Sequence, residues 1–293
     1  MDDSCAVMLG LLKTDPALLG TGAVRRALRW IMGMQNRDGG WGAFDTENDW
    51  RFLNKMPFSD MDSMCDPSTA DVTGRVLECF GLILSRPKGF SIDDDPGLAS
   101  QMRSSCGRAL RYVLDDQKPW GAWWGRWGVN YIYGTSNVLG GLHYFCKDGD
   151  DRSRSAVDRA IVWMQSVQNT DGGWGESPKS YSDAGQAGVG PSTAVQTAWG
   201  LIALLNYLPS SDKSVERGVQ WLVREQVPVG SDSTRGTWHI GAQFTATGFP
   251  DHLYLEYDYY RLYFPVMALG RYADKCRDLV KETPASYYMS ICR

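Results

Sequence analysis

A fourfold repeat constrains the fold of this chain more than any other feature of its sequence. Glutamines stand at 35, 117, 168 and 226, and each follows an arginine by nine residues and an aromatic residue by five. A tryptophan follows the first three glutamines by six residues, and Trp238 follows the fourth by twelve. Offsets shared by four separate segments indicate a repeat array with insertions between its copies.

Each copy of the repeat is typical of a helix that ends in a tight turn. In the first copy, residues 26–35 carry apolar side chains at helical spacing, and Asp38-Gly39-Gly40 then stops the helix. We expect the glutamine amide to satisfy unpaired backbone groups and the indole to pack on a neighbouring helix. The aromatic residue of each copy is expected to be largely buried in an outer ring. These residues are Trp30, Tyr112, Trp163 and Trp221.

A second class of helix alternates with the first. Its five members begin near Asp3, Asp71, Gly134, Thr193 and Asp258, and most continue as nearly unbroken apolar or small residues. A helix that is apolar on most sides is buried, so these helices form an inner ring and the four amphipathic repeat helices form an outer one. The pattern predicts an all-α fold, an α/α barrel with a double ring of helices. Because such a ring often closes with six pairs, we expect the barrel to be incomplete.

The connections between these helices predict one domain. No strand-like alternation is sustained anywhere, and residues 85–96, 147–151 and 227–236 are expected to be loops. None of them has the composition of an interdomain linker, and the length is near the upper limit for one hydrophobic core. We therefore expect a single domain over residues 1–293, with residues 273–293 as a C-terminal tail.

The composition argues against several classes of function. A net charge of −4 gives no reason to expect a nucleic-acid partner, and no apolar run is long enough to span a membrane. The seven cysteines form no CxxC pair, which favours reduced thiols in an intracellular protein, either cytoplasmic or peripheral on a membrane. The three histidines form no ligand pattern, and no glycine-rich phosphate loop precedes a helix. We therefore expect neither a metal nor a cofactor.

Longer strings accompany the repeats and carry a family resemblance. They are Asp71-Val72-Thr73-Gly74-Arg75, then Gly125-Arg126-Trp127-Gly128-Val129-Asn130-Tyr131, and Thr247-Gly248-Phe249-Pro250. Together with the repeats, these strings resemble the QW motifs and neighbouring segments of the triterpene cyclases, in particular the squalene–hopene cyclases, from Met1 to about Tyr272. The resemblance implies proton-initiated polycyclisation of squalene or a related polyprenoid through carbocations, an isomerase-type reaction.

The start of the chain resembles the acid motif of that family, Asp-x-Asp-Asp-Thr or Ser. Met1-Asp2-Asp3-Ser4 is similar to its last four positions, so we expect an N-terminally truncated protein that is inactive alone. The resemblance implies that Asp2 is the proton donor, that Asp3 and Asp71 belong to the acid group, and that Arg75 is a fixed cation beside it. Protonating an alkene requires a neutral carboxylic acid, and burial keeps an aspartic acid neutral because it disfavours the anion.

Aromatic side chains are the second chemical requirement of this reaction. A migrating carbocation is stabilised by ring faces, whose quadrupole attracts positive charge. We expect the family's cavity aromatics to converge on one apolar cavity, with the acid group at one end. The resemblance maps these aromatics onto Trp127, Tyr133, Phe249, Tyr257 and Tyr260.

Three positions depart from the pattern of hopene-forming relatives. Phe44 stands where they usually carry tyrosine, and Leu253 stands where they usually carry phenylalanine. Arg75 stands where several carry histidine; arginine cannot lose its proton, but it still supplies positive charge. We expect the departures at Phe44 and Leu253, which the resemblance places along the substrate, to affect the product more than the reaction class.

Two alternatives stay open. One is a non-catalytic helical-repeat fragment, because the chain starts inside the acid motif. The other is a protein related to prenyltransferase β-subunits, which share the α/α barrel but need a zinc triad that this sequence does not supply. The expected partner is a squalene-like polyprenoid. The resemblance and the insolubility of that substrate also leave room for peripheral, monotopic membrane contact and for a homodimer.

Overall fold

The computed structural model describes residues 1–86, 92, 94–146, 151–230, 232–241 and 243–282. In these ranges five helices form an inner layer: α1 (Asp2–Thr14), α3 (Ala70–Leu84), α5 (Tyr131–Leu142), α7 (Ala194–Leu204) and α9 (Tyr260–Glu282). Four helices form an outer layer: α2 (Gly22–Gly33), α4 (Pro96–Asp116), α6 (Asp151–Ser166) and α8 (Lys213–Arg224). Short 3-10 turns lie at Pro16–Gly20, Arg51–Lys55, Pro178–Tyr181 and Ala184–Gln186.

The inner helices pack in chain order, α1 on α3, α3 on α5, α5 on α7 and α7 on α9, and α4, α6 and α8 pack on α3, α5 and α7. Every residue of α7 is buried, and so is every residue of α5 except Asn137, because nearly all their side chains are apolar or small. Helices α3 and α5 approach closely at Gly74, where an added Cβ would lie 2.7 Å from the Val138 nitrogen. The predicted all-α, double-layered fold is confirmed.

The repeat turns tie each outer helix to the next one. Gln35 Nε2 donates to the Gly39 carbonyl at 2.8 Å, within its own turn, and to the Ser105 carbonyl at 2.9 Å, in α4. Trp41 Nε1 donates to the Ile31 carbonyl at 2.8 Å, in the last turn of α2. Gly39 has a φ of 96°, a conformation that favours glycine, so the turn needs glycine at this position.

The second and third copies repeat these contacts. Gln117 donates to the Ala156 carbonyl in α6 at 2.8 Å, and Gln168 donates to the Ser214 carbonyl in α8 at 2.9 Å. The indoles of both copies donate to carbonyls in the last turns of α4 and α6. The predicted structural role of the glutamines and tryptophans is therefore confirmed for the first three copies, because their side chains pair backbone carbonyls at helix ends and turns.

The fourth copy makes the same tryptophan contact by a different route. Trp238 Nε1 donates to the Leu222 carbonyl at 2.8 Å, in the last turn of α8. The chain between them forms an antiparallel hairpin of β1 (Gln226–Val229) and β2 (Asp232–Trp238). The prediction of a loop over residues 227–236 is therefore wrong. Cross-strand pairing satisfies the backbone of the longer connection and returns the indole to the helix.

A second short hairpin, β3 (Ala246–Phe249) and β4 (Leu253–Leu255), lies beside the segment that precedes α5. The Val129 amide donates to the Thr245 carbonyl at 3.0 Å, and Gly128 forms an isolated bridge with the first residue of β3. This pairing holds the two predicted site positions of the hairpin, Phe249 and Leu253, close to the string that contains Trp127.

One prediction of burial is wrong. Trp163 and Trp221 are buried and Tyr112 is half-buried, but Trp30 is 48% exposed. In a later copy the aromatic residue packs on the turn of the preceding copy, as where the Trp221 indole donates to Asp171 at 3.0 Å. No repeat turn precedes Trp30 in the described part of the chain, so its ring has no such turn to pack against there.

The C-terminal end of the chain differs from the sequence prediction. Helix α9 continues to Glu282, so residues 273–282 of the predicted tail are helical, and residues 283–293 lie outside the described ranges. Parts of the predicted loops 85–96 and 147–151 also lie outside them. No helix within the described ranges is long and apolar enough to cross a membrane. The assignment of a single domain stays a prediction.

Candidate active site

The first residue of α1 forms an ion pair with α3. The Asp2 carboxylate lies 2.5 Å from Arg75 Nε, and the two side chains are mostly buried, with 25% and 16% of their surfaces exposed. Arg75 Nη2 also donates to the Tyr133 hydroxyl at 3.3 Å and to Asn137 Oδ1 at 3.1 Å, both on α5. The guanidinium therefore joins three inner helices at one point.

These contacts determine the charge states of Arg75 and Tyr133. Burial opposes a charged guanidinium, but the Asp2 carboxylate, followed by Tyr133 and Glu78, raises the pKa of Arg75 well above its usual range. Burial, with the nearby Asp2 charge, raises the pKa of Tyr133, so its hydroxyl stays neutral. Arg75 therefore places a permanent positive charge beside Asp2.

Asp71 lies one turn before Arg75 on α3 and is 1% exposed. Its Oδ2 accepts the amide N–H of Arg126 at 2.8 Å and that of Trp127 at 2.9 Å, and its Oδ1 accepts a third backbone N–H at 3.0 Å. Burial raises the pKa of Asp71, hydrogen bonds offset part of the rise, and the Asp2 charge adds to it. The Asp2 charge therefore contributes to the raised pKa of Asp71.

An aromatic path continues from Arg75 along the inner helices. The ring centroids of Tyr133 and Trp199 are 4.8 Å apart. Trp199 in turn lies 5.5 Å from Phe264 and 6.3 Å from Tyr260, both on α9. Tyr257 follows at 4.8 Å from Tyr260 and is 47% exposed. The negative faces of these rings favour positive charge along the path.

Two rings of this path, Trp199 and Phe264, are absent from the sequence prediction. Trp199 is 2% exposed and contacts Tyr133, Tyr260 and Phe264. Its signal in the sequence is its position, because it lies off the repeat offsets, on a helix otherwise built from small and aliphatic residues. A large ring in that setting indicates contact with rings of other helices.

A second aromatic group lies where β3 meets the string before α5. Trp127 packs edge-on against Phe44, with ring centroids 5.5 Å apart. The Arg126 guanidinium lies 4.2 Å from the Trp127 ring centroid and 5.4 Å from that of Phe249. Leu253 pairs with Phe249 across the hairpin and is 41% exposed, and Phe44 is 70% exposed.

The predicted site residues thus form two groups near the start of α3. The first contains Asp2, Arg75, Tyr133, Tyr257 and Tyr260, and the second contains Asp71, Phe44, Trp127, Phe249 and Leu253. The groups adjoin at Gly128, where an added Cβ would lie 2.5 Å from the Tyr133 ring. Asp3 is exposed on α1, outside both groups. Convergence of the rings on a single apolar cavity stays a prediction.

A cavity of about 560 Å³, lined by both apolar and charged residues, adjoins the second group. Its wall contains Thr69 and Ala70, which directly precede Asp71, and it also contains Arg126. The predicted aromatic residues are not among the described residues that line it. Charged side chains of both signs do line it, among them Arg51, Lys55, Lys118, Asp62, Asp66 and Asp116.

Comparison with known proteins gives the family of the chain. Residues 1–274 match the squalene-hopene cyclase C-terminal domain. The chain belongs to this family. A terpene cyclase–glycosyl transferase fusion protein of Humicola fuscoatra is 49% identical over 275 residues, which cover 94% of this chain and 20% of that protein. The squalene–hopene cyclase of Alicyclobacillus acidocaldarius is 40% identical over 274 residues, which cover 93% of this chain and 40% of that protein.

Further relatives agree with the family assignment. Enfumafungin synthase of Hormonema carpetanum is 46% identical over 286 residues, covering 94% of this chain and 22% of that protein. The chain thus spans between about a fifth and two fifths of the length of these relatives. A type II terpene cyclase from Scytonema has a similar fold, with a TM-score of 0.50 and 18% identity, covering 80% of this chain and 56% of that one. The resemblance seen in the motifs is confirmed.

Within the described ranges, no group of three or more His, Cys, Asp or Glu side chains is arranged to hold a metal ion. The two groups contain two carboxylates, Asp2 and Asp71, a fixed cation and a path of aromatic rings. Such a set is suited to moving a proton and stabilising a cation.

Proposed function

We propose that this chain supplies the acid group and part of the aromatic wall of a squalene–hopene-type triterpene cyclase. The substrate is a squalene-like polyprenoid, and the reaction is proton-initiated polycyclisation. One observation carries the proposal: the Asp2–Arg75 pair, at 2.5 Å, stands at the start of the ring path from Tyr133 to Tyr260. Membership of the family supports the reaction class.

The reaction begins with proton transfer from a carboxylic acid to a terminal alkene. We assign the donor role to Asp2, because the Asp71 oxygens are engaged by three backbone N–H groups. The acid O–H bond breaks, a C–H bond forms at one alkene carbon, and positive charge develops on the more substituted carbon. Arg75 then stabilises the carboxylate that remains, through the ion pair seen in the structure.

The carbocation formed by this proton transfer must next be stabilised without being captured by a nucleophile. Tyr133, Trp199 and Tyr260 present ring faces at successive centroid distances of 4.8 and 6.3 Å. Burial raises the pKa of Tyr260, as it does that of Tyr133, so both phenols stay neutral and are poor nucleophiles toward the cation. Loss of a proton, or capture by water, ends the reaction and fixes the product.

The test is a graft in which this chain replaces the aligned region of the A. acidocaldarius squalene–hopene cyclase. We expect the graft to convert squalene to cyclised triterpenes, detected by gas chromatography and mass spectrometry. The same graft carrying Asp2→Asn is expected to give none. If the graft melts cooperatively but forms no cyclised product, the proposed function is wrong and the non-catalytic alternative is favoured.

Peripheral membrane contact belongs to the same proposal, because a squalene-like substrate partitions into lipid. The segment 50–58 exposes Trp50, Phe52 and Phe58 by 64%, 54% and 71%, and it also carries the cations Arg51 and Lys55. Apolar tips flanked by cations favour the surface of an anionic membrane.

Flotation of the 293-residue chain with phosphatidylcholine–phosphatidylserine vesicles tests this surface. We expect the Trp50→Ser/Phe58→Ser double variant to float much less than the parent, and Trp30→Ser, at another exposed tryptophan, to float equally. Equal flotation of the parent and the double variant would contradict membrane contact through the segment 50–58. The homodimer also stays a prediction, to be measured by sedimentation equilibrium.

A further inference from the structure

Arg126 stands between the cavity beside the second aromatic group and the rings of that group. Its side chain lines the cavity of about 560 Å³. The same guanidinium lies over the Trp127 ring at 4.2 Å and faces the Phe249 ring at 5.4 Å. The cavity is open to water, because its wall includes exposed side chains such as Arg51 and Asp251. A single side chain thus has water-accessible space on one side and two apolar rings on the other.

The backbone around Arg126 is held from two directions. Its own amide and that of Trp127 donate to the buried Asp71 carboxylate at 2.8 and 2.9 Å. Two residues after Trp127, the Val129 amide donates to the Thr245 carbonyl at 3.0 Å, just before β3. These backbone contacts therefore hold the Arg126 guanidinium and the Trp127 and Phe249 rings in fixed positions relative to one another.

The electrostatic setting of Arg126 is unusual for an arginine. Burial lowers its pKa, although Asp71, Tyr181 and Asp66 oppose the change. Its Nη1 is buried and has no hydrogen-bond partner among the described residues. A charged group accepts such a position when ring faces replace part of its hydration, as a planar guanidinium stacked on indole does.

We propose that Arg126 is a specificity-determining positioning residue that separates the water of this cavity from the Trp127–Phe249 rings. The inference rests on the proposed function. A carbocation held near these rings forms a C–O bond if a water molecule reaches it, and the captured water then loses a proton to solvent. A stacked guanidinium blocks that approach and repels the cation from the cavity side. Arg126 therefore sets the ratio of hydroxylated to hydrocarbon products.

The product test uses the active graft with squalene in water enriched in oxygen-18. We expect Arg126→Met, which keeps side-chain length but loses the charged plane, to raise the labelled, hydroxylated fraction of the products about threefold or more. The matched control is Lys118→Met, which removes another cation of the cavity wall, one that ion-pairs with Asp116 at 3.2 Å. We expect it to leave the product ratio unchanged.

The conservative variant Arg126→Lys separates the effect of the flat guanidinium from the effect of its charge. Arg126→Lys retains the positive charge but loses the flat contact with the rings, so we expect an intermediate product ratio. An unchanged ratio in Arg126→Met, or an equal rise in Lys118→Met, would overturn the inference while leaving the proposed function intact.

A second measurement does not depend on turnover. Hydrogen–deuterium exchange of the 293-residue chain reports water access to the amides of residues 126–129. We expect faster exchange of this segment in Arg126→Met than in Lys118→Met at equal melting temperature. Equal exchange in both variants would overturn the inference alone, whereas a folded but inactive graft would overturn the proposed function on which the inference rests.

Discussion

Helix α3 carries two carboxylates in opposite environments, Asp71 near its start and Glu78 two turns later on the same side. Asp71 is bound by three backbone N–H groups. Glu78 accepts from Lys13 of α1 at 3.2 Å and lies 3.5 Å from Arg271 of α9, with 14% of its side chain exposed. Burial raises the pKa of Asp71, whereas for Glu78 the Lys13 and Arg271 charges outweigh burial and lower it.

The difference shows how one helix serves two purposes. Around Glu78 the charges are fixed, and they connect α3 to its neighbour α1 through Lys13 and to α9 through Arg271. Around Asp71 no side-chain cation of the described residues is in hydrogen-bond contact, and burial raises its pKa, so its protonated form is favoured relative to a free aspartic acid. Arg75, between them, belongs to the acid group through its ion pair with Asp2.

The largest expected effect is on turnover, and it separates Asp2 from Glu78. In the active graft, Asp2→Asn removes the transferable proton at little steric change, so we expect turnover to fall about a thousandfold. The melting temperature is expected to change little. Glu78→Gln is the matched amide control and is expected to retain most turnover. If both variants lost activity equally, the functional contrast between Asp2 and Glu78 would be wrong.

The second effect concerns the stability provided by Asp71. An amide at this position keeps only one acceptor oxygen for three backbone N–H groups, so Asp71→Asn is expected to lower the free energy of unfolding by about 3 kcal/mol. Urea denaturation of the 293-residue chain measures it. Asp183→Asn, at a carboxylate that caps an exposed turn, is the control and is expected to cost less than 1 kcal/mol. An equal loss in the two variants would contradict the role given to Asp71.

The third effect is smaller and depends on pH. Glu78→Gln is expected to lower the free energy of unfolding by about 2 kcal/mol at pH 7, because Lys13 and Arg271 lose their shared partner. The folded pKa of Glu78 is lowered, so its contribution is present above the ordinary value of 4.5 and is lost as pH falls. The difference between parent and variant should therefore shrink in acid.

Asp71 is expected to show the opposite dependence on pH. Its folded pKa is raised, so the part of its contribution that comes from the pKa shift is present below the ordinary value of 3.8 and is lost as pH rises through the folded value, while the three backbone hydrogen bonds remain. The difference between the parent and Asp71→Asn should therefore shrink as pH rises. Urea titrations at a series of pH values measure both slopes, and slopes of the same sign would contradict the comparison.

The smallest effect tests which cation matters more at Glu78. Lys13 is 42% exposed and Arg271 is 26% exposed, so water screens the first charge more strongly. We expect Lys13→Met to lower the free energy of unfolding by about 0.5 kcal/mol and Arg271→Met to lower it by more. The reverse order in urea denaturation would show that the exposed pair dominates.

The layered fold could be predicted because its signals are local. The repeat offsets place each glutamine and tryptophan within reach of its own turn and helix, and the apolar runs identify the inner helices. The hairpin of β1 and β2 was not predictable from alternation, because Pro228 and Gly236 interrupt the pattern of its short strands. The exposure of Trp30 was not predictable either, because its environment depends on which turn lies against α2.

The candidate site was predictable in its members more than in its arrangement. Motif strings pointed to Asp2, Asp71 and Arg75, and the structure brings these three together at the start of α3. The division of the rings into two groups depends on how β3 packs beside Gly128, a contact between segments far apart in the chain. The role inferred for Arg126 depends on the same packing, since its neighbour in sequence, Trp127, and its neighbour in space, Phe249, meet only there.

The chemistry of the repeat, the order of inner and outer helices and the residue types of the acid group can all be read from the amino-acid sequence. Which cations Glu78 meets, and that Asp71 meets backbone N–H groups, depends on how the helices and loops pack. Lys13 and Arg271 reach Glu78 from 65 and 193 residues away, whereas Asp71 finds backbone N–H groups. The physical reason is that a pKa depends on burial and on charges within a few ångströms in space, and separation along the chain determines neither.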